Sequence, residues 1–362
     1  MIIGVLSDTH SDRANALPHI MAEFKKRDVD IIIHCGDIEL QHLSPNLFNN
    51  LEVACALNEE QLEKFPIENP PQGWTLTKPE KRVIDIRGIR CYVGHRMSYH
   101  LLVESETDFR KRIDLLRRNF DGLRWVFSGH THHQIFFQTQ LVSFVNPGAV
   151  EDSFDGYEFA IIDTETNQII FCRILKTKPV ENSFSVGIIS DSLNVSKMDV
   201  DFWKKLKIEF QARDVTHIIH CGNISLNDIG QKELADFTIH YCLRPDQALS
   251  SVPENWKLVP ANEPIVRING RQFYIHPSLA RTLLEESEVD MGKECLKILE
   301  PYPEVTFVLY GGTNEAFLWG GPRARIISPG DAKSSRSFAV ICLPRTEITF
   351  GHVPVDPLAP LQ

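Results

Sequence analysis

Residues 27–38 read RDVDIIIHCGDI and residues 213–224 read RDVTHIIHCGNI, identical at nine of twelve positions although 186 residues separate them. A chain that repeats a strand-like run and its glycine turn so closely has to build the same local unit twice. Other pairs keep the same order: IGVLSD (3–8) with VGIISD (186–191), GWTL (73–76) with NWKL (255–258), and VNPGA (145–149) with ISPGD (327–331). The 362 residues therefore read as a tandem duplication, with one domain at 1–178 and another at 183–362. The seam falls in the polar, proline-bearing run Lys176-Thr177-Lys178-Pro179-Val180-Glu181-Asn182-Ser183.

Within the first copy, short β-rich runs alternate with helical patterns. Ile2–Leu6, Ile31–Ile33, Val53–Leu57, Val83–Ile86, Cys91–Val93, Trp125–Phe127, Val142–Val145, Phe159–Ile162 and Ile169–Ile174 read as strands. Leu17, Ile20, Met21 and Phe24 recur at helical spacing and predict a helix over about 14–27. Phe109, Ile113, Leu116 and Phe120 predict a second over about 106–120. The fold class is α/β, layered, and present twice.

Composition excludes several function classes. The 38 Lys and Arg against 48 Asp and Glu give a net charge of -10, so extended nucleic-acid binding is not expected. The basic residues Arg110, Lys111, Arg112, Arg117 and Arg118 fall opposite the apolar stripe of their helix, where a solvated face needs charge. No apolar run approaches the roughly 18 residues of a membrane helix. Met1–Leu6 has neither a basic leader nor a cleavage site, so a cytoplasmic protein is expected. The eight cysteines are scattered, several inside apolar runs, as in a reducing compartment.

The chemistry-bearing residues stand at the ends of these strands. Asp8 and His10 follow the first strand in Ser7-Asp8-Thr9-His10, and in extended chain residues two apart point to one side. Asp37 follows the second strand, Asn58 the third, His95 a later one, and His130 and His132 another in Gly129-His130-Thr131-His132. Open α/β sheets bind ligands at the carboxyl ends of their strands, so donors spread over more than 120 residues can converge there. His34 in Ile33-His34-Cys35 reads instead as a hydrogen-bonded core histidine, since its counterpart His220 persists in a copy that has lost the other donors.

The ordered series D-x-H, G-D, N, H, G-H-x-H, together with IIIHCGD, SGHTH and VNPGA, resembles the calcineurin-like metallophosphoesterases. Among these it looks most like the small bacterial and archaeal phosphodiesterase branch that includes the retromer subunit of this fold. The resemblance covers all of the first copy and, more faintly, the second. It implies a four-layer α/β/β/α sandwich with a two-metal site. By matching motif positions, Asp8, His10, Asp37 and His132 would hold one ion, and Asp37, Asn58, His95 and His130 the other. A bridging carboxylate offsets repulsion between two cations, and mixed N/O donors favour manganese, iron, zinc or nickel over calcium; manganese is the first expectation. The implied activity is hydrolysis of a small phosphate ester or nucleotide-type substrate, a diester rather than a monoester.

The sequence departs from the family pattern at Leu57-Asn58-Glu59-Glu60 and at His95-Arg96-Met97. The proton donor to the leaving group is therefore open among Glu59, Glu60, His100 and His133, and Arg96 is placed to hold a phosphate oxygen. The second copy keeps Asp191 but has Leu193, Asn223, Arg244, Gly312 and Asn314 where the first has His10, Asp37, Asn58, His130 and His132. His276 aligns with His95. No metal pair is expected there. An ion pair of Arg244 with Asp191 would replace the metals, and the second copy would dock on the first or on a protein partner. Two rival functions are a non-catalytic interaction module of the same fold and a nuclease on short or single-stranded nucleic acid.

Overall fold

The computed structural model describes residues 1–12, 15–39, 45–48, 51–57, 61, 71–78, 81–102, 104–139, 141–151, 156–176, 183–192, 200–224, 232–243, 252–277, 288–321 and 323–354. The first half carries β1 (Ile2–Leu6), α1 (Leu17–Lys26), β2 (Ile31–His34), β3 (Glu52–Ala56), β4 (Trp74–Thr77), β5 (Val83–Ile86) and β6 (Ile89–Val93). It continues with α2 (Glu106–Asn119), β7 (Leu123–Phe127), β8 (Gln134–Gln138), β9 (Ser143–Pro147), β10 (Gly156–Asp163) and β11 (Gln168–Leu175).

The second half carries β12 (Phe184–Ile189), α3 (Val200–Gln211), β13 (Val215–His220), β14 (Thr238–Tyr241), β15 (Trp256–Leu258), β16 (Ile265–Ile268) and β17 (Arg271–His276). It ends with α4 (Glu288–Leu299), β18 (Val305–Tyr310), β19 (Ala316–Gly320), β20 (Arg325–Pro329), β21 (Ser337–Leu343) and β22 (Glu347–His352). The chain divides into two compact units. One comprises Met1–Val180 with Arg281–Tyr302 and Phe317–Arg325, the other Glu181–Ala280, Pro303–Ala316 and Ile326–Gln362. Helix α4 and most of β19 thus belong with the first half, because β19 pairs antiparallel with β8.

In the first unit one sheet runs β11-β10-β1-β2-β3-β4 and a second runs β19-β8-β9-β7-β6-β5. The pairs β1–β2, β2–β3 and β3–β4 are parallel, which directs the ends of four strands to one edge. Helix α1 buries Leu17, Ile20, Met21 and Phe24 in one cluster with Leu6, Val53 and Phe159 of the first sheet. Each such side chain stabilises by about 1.5–3 kcal/mol. Gly4 is the close-approach position, since a Cβ there would lie 2.7 Å from the Phe24 ring. Helix α2 starts at Ser105, whose Oγ accepts the Asp108 N–H at 3.2 Å. It sets buried Phe109 edge-on to Phe137 and Phe144 of the second sheet, at 5.6 and 5.1 Å. The result is helix, sheet, sheet, helix.

In the second unit the orders β15-β14-β13-β12-β21-β22 and β16-β17-β18-β20 repeat most of this arrangement. Helix α3 buries Phe202, Leu206 and Phe210 with Ile189, Ile218 and Phe338. Gly187 stands to Phe210 as Gly4 does to Phe24, its Cβ position 2.8 Å from the ring.

The sequence reading had nine strands in the first half, and the structure adds β4 and β8. Phe120, assigned to the apolar stripe of α2, is 40% exposed just past the helix end. The basic face of α2 makes surface ion pairs, Arg112 with Glu104, Lys111 with Asp108 and Arg117 with Asp121. All eight cysteines are free thiols, and no described helix is long and apolar enough to cross a membrane.

Candidate metal centre

The parallel register of β1 and β2, with Leu6 opposite His34, continues beyond both strands. Asp8 donates its N–H to the Gly36 carbonyl at 3.0 Å and His10 to the Asp37 carbonyl at 2.9 Å. This ladder brings Asp8 and His10 beside Asp37. They do not reach it as alternate residues of an extended chain: Asp8, His10 and Asp37 have φ of 53°, 44° and 56°, in the left-handed region. His130 (φ 77°) and His132 (φ 59°) do the same after β7. Left-handed backbone costs an L-residue about 1–2 kcal/mol, and five such residues stand at the ends of these three strands.

One oxygen or nitrogen from each of Asp8, Asp37 and His95 lies within 4.8 Å of the other two, the one such trio among the described residues. The remaining candidates attach to it. His132 Nε2 is 3.2 Å and His95 Nε2 3.9 Å from Asp8 Oδ1, His10 Nδ1 is 3.7 Å from Asp37 Oδ2, and His130 Nδ1 is 3.3 Å from His95 Nε2. Asn58 and Glu59 lie outside the described residues. Arg96 is exposed on the rim, close enough for its charge to act on His130.

The proton inventory suits metal ligation. His95 Nδ1 is 3.0 Å from the Cys35 carbonyl, which can only accept, so Nδ1 carries the proton and Nε2 offers its lone pair to the cluster. Burial and then the neighbouring His95 hold His130 below the usual imidazole value, keeping it a neutral donor. Burial alone would raise Asp8, but the His132 and His95 rings outweigh it and bring the carboxyl below its ordinary value. Asp8 Oδ2 accepts the His130 N–H at 3.2 Å, whereas Oδ1 is buried with no hydrogen bond. A buried, ionised oxygen whose neighbours are the His132 and His95 ring nitrogens, with no backbone or hydroxyl donor, is well completed by a cation that the same nitrogens also ligate, so the residues fit a bound metal.

Several supports escaped the sequence reading. Asn146, the asparagine of VNPGA, donates to the Gly129 carbonyl at 3.1 Å and to Thr131 Oγ1 at 3.0 Å, holding the loop that carries His130 and His132. Its signal was a polar residue inside the apolar run Phe144-Val145-Asn146. Gly129 is required by space, since a Cβ there would lie 1.9 Å from Ser7 Oγ and 2.9 Å from Asp8 Oδ2. Tyr99, 49% exposed, lays its ring 5.6 Å from that of His130. His34 is fully buried and held down to about 3 by burial. It accepts the Gly36 N–H at Nδ1 (3.1 Å), and so donates from Nε2 to Thr9 Oγ1 (2.9 Å), bracing the residues between the ligands.

The second unit keeps this backbone and Asp191, with most of the other donors exchanged. Asp191, Asn223 and Gly312 have φ of 54°, 53° and 85°, and His220, also held at about 3 by burial, bonds Ser192 and the Gly222 N–H. Asp191 Oδ1 accepts from Asn223 Nδ2 at 3.0 Å and Oδ2 from the Gly312 N–H at 2.9 Å. Arg244, expected to pair with Asp191, and Leu193 lie outside the described residues. His276 is half-buried, and burial lowers it.

A helix–sheet–sheet–helix unit that brings carboxylates and imidazoles together at its strand ends is a candidate metal-binding α/β unit. Residues 1–167 match the calcineurin-like phosphoesterase superfamily domain. The chain is 30% identical over 151 residues to a probable metallophosphoesterase of Methanocaldococcus jannaschii, spanning 41% of this chain and 68% of that protein. It is 28% identical over 154 residues to a probable metallophosphoesterase of Methanothermobacter thermautotrophicus, spanning 41% and 77%. A phosphodiesterase of Methanocaldococcus jannaschii is 26% identical over 186 residues, spanning 46% and 96%. The chain belongs to the calcineurin-like phosphoesterase superfamily.

Proposed function

We propose that the protein is a metal-dependent phosphodiesterase working at a dinuclear site in its first half, with manganese ahead of iron, zinc or nickel. The observation that carries this reading is the Asp8, Asp37 and His95 cluster, with one buried carboxylate oxygen that no hydrogen bond satisfies. Asp8, His10, Asp37 and His132 would hold one ion, and Asp37, Asn58, His95 and His130 the other. Metal ions held there would supply an acidified water as nucleophile and positive charge to offset that developing on the phosphoryl oxygens.

The chain's own residues supply the rest. The Cys35 carbonyl fixes the His95 tautomer, and Asn146 holds the loop of His130 and His132. Arg96 on the rim would take a non-bridging phosphate oxygen, and Tyr99 would form a wall for the ester group. His100 faces Glu104 at 3.3 Å and His133 faces Trp319, which favours Glu59 or Glu60 for protonating the leaving alkoxide.

Diester preference is supported by the phosphodiesterase relative and by Glu59, rather than histidine, after Asn58. The same reading makes the chain a duplicated, cytoplasmic protein whose second copy is a pseudoenzyme domain, docked on the first or on a protein partner. Its substrate is a small phosphate ester or nucleotide, not an extended nucleic acid or a membrane. The test is hydrolysis of bis(p-nitrophenyl) phosphate beside p-nitrophenyl phosphate by the manganese-loaded full chain. Faster diester cleavage supports the reading. No cleavage of either ester by a metal-loaded chain overturns it in favour of an interaction module.

A further inference from the structure

Strand β8 begins two residues after His132, so whatever holds β8 also holds the last metal-site histidine. One edge of β8 pairs with β9. The other pairs antiparallel with β19, matching Phe137 with Phe317, Phe136 with Leu318 and Ile135 with Trp319. The spacing of 182 residues between VNPGA and ISPGD makes β19 the counterpart of β8 in the repeat, with Leu318 equivalent to Phe136. The strand therefore meets its own equivalent about a local two-fold through the Phe136 and Leu318 pair, an isologous contact built inside one chain. Without it the buried run Ile135-Phe136-Phe137 would lie on an open, apolar sheet edge.

The contact is not used symmetrically. On the side of the metal loop it delivers two side chains to consecutive residues. The Trp319 ring packs edge-on against His133 at 5.9 Å and 77°. Arg325 Nη2 donates to Gln134 Oε1 at 3.1 Å and to Glu158 Oε1 at 3.3 Å. Trp319 is 4% exposed, and its seat needs a glycine at 321, where a Cβ would lie 2.2 Å from the indole; Gly292 of α4 packs beside the same ring. By the same spacing, the equivalent of Trp319 is Phe137 and that of His133 is Glu315, so the tryptophan–histidine contact exists only beside the metal loop.

We propose that Trp319, supplied by the second half of the chain, is a positioning residue for the metal centre. Its indole clamps His133 and so keeps His132 at its 3.2 Å approach to Asp8. The proposal rests on the metal reading above, and Trp319 and Arg325 fold into the same compact unit as the metal centre.

The test is manganese binding by calorimetry on the full chain and on Trp319→Ala, Trp319→Phe, Leu318→Ala, His133→Ala and the Trp319→Ala/His133→Ala double variant. Removing a support behind a metal-ligating histidine weakens metal affinity by about 10-fold or more. We expect that loss in Trp319→Ala and His133→Ala, near-normal affinity in Trp319→Phe, and no further loss in the double variant. Leu318→Ala removes buried bulk from the same strand at the position facing Phe136, and it should bind manganese normally. Normal binding by Trp319→Ala or by His133→Ala, additive losses in the double variant, or an equal loss in Leu318→Ala would each overturn the clamp. Failure of the unmodified chain to bind manganese would instead overturn the metal reading, and the clamp with it.

Discussion

Replacing Asp37 by asparagine removes one charge and keeps the shape, an exchange the second half already carries at Asn223. A cation seated among the Asp8, Asp37 and His95 donors lies closer to each than their 4.8 Å mutual limit. At about 4 Å and an effective dielectric near 20, one pair of unit charges is worth about 4 kcal/mol, so a divalent ion gains about 8 kcal/mol from the carboxylate. Asp37 is 34% exposed, and solvent screening roughly halves that to about 4 kcal/mol. The expected loss is about 1,000-fold in the manganese dissociation constant. A second effect points the same way: the new amide can donate to the bare Asp8 Oδ1, as Asn223 Nδ2 donates to Asp191 Oδ1 at 3.0 Å, filling the lone pair a metal needs. The assay is manganese calorimetry with bis(p-nitrophenyl) phosphate turnover, and thermal melting should show an intact fold. A folded Asp37→Asn chain that binds manganese within tenfold of the unmodified protein and still cleaves the diester would refute the argument.

The reverse exchange, Asn223→Asp, sets a second carboxylate against Asp191 with no cation between them and removes a hydrogen bond, so urea unfolding should show about 2–4 kcal/mol of destabilisation; tight manganese binding without that loss would sink the account of the second half. Gly129→Ala forces a Cβ to within 1.9 Å of Ser7 Oγ and 2.9 Å of Asp8 Oδ2, and should cost about 1–3 kcal/mol by overpacking together with metal affinity, both read from manganese-dependent melting curves. His220, held at about 3 in the fold against 6.5 ordinarily, takes a proton in the unfolded chain first. It therefore subtracts stability as pH falls from about 6.5 toward 3, at up to about 1.4 kcal/mol per pH unit, and an unchanged pH slope of the urea midpoint in His220→Asn would contradict this. Tyr99→Ala should raise KM for bis(p-nitrophenyl) phosphate about 5- to 10-fold, the scale of a lost aromatic stack, while Tyr99→Phe keeps it; a fall in kcat alone would point to disturbed His130 rather than a lost wall.

The strand ends and their donors were legible because each lies where an apolar run breaks into glycine and polar residues, a local signal. The helix stripes were legible for the same reason, up to Phe120, where the period outran the helix. Strand β4 was not, because Trp74–Thr77 is an edge strand with two inward side chains and too short a pattern to stand out. Strand β8 was missed because glutamine bounds it on both sides and the histidine cluster precedes it; its burial comes from β19, 182 residues away, and no local pattern names the partner of an edge. The left-handed turns at Asp8, His10 and Asp37 were equally hidden, since Asp and His tolerate that region without demanding it.

The persistence of Asp191 where nearly every other donor was exchanged follows from the two oxygens of its counterpart. In the first half Asp8 Oδ2 accepts the His130 N–H and pins the loop after β7 to the end of β1, while Oδ1 is left for a cation. In the second half Asp191 Oδ2 keeps the first duty, accepting the Gly312 N–H, and Oδ1 is closed by the Asn223 amide. On the proposed reading an aspartate at this place serves the fold through one oxygen and a cation through the other, so a half without a metal would still keep the residue. Asp37 differs: its side chain points to His10 and the cluster, and its structural duty passes through its backbone carbonyl to the His10 N–H. On the proposed reading a change of its side chain would remove the metal and spare the fold, and Asn223 is that exchange in the second half.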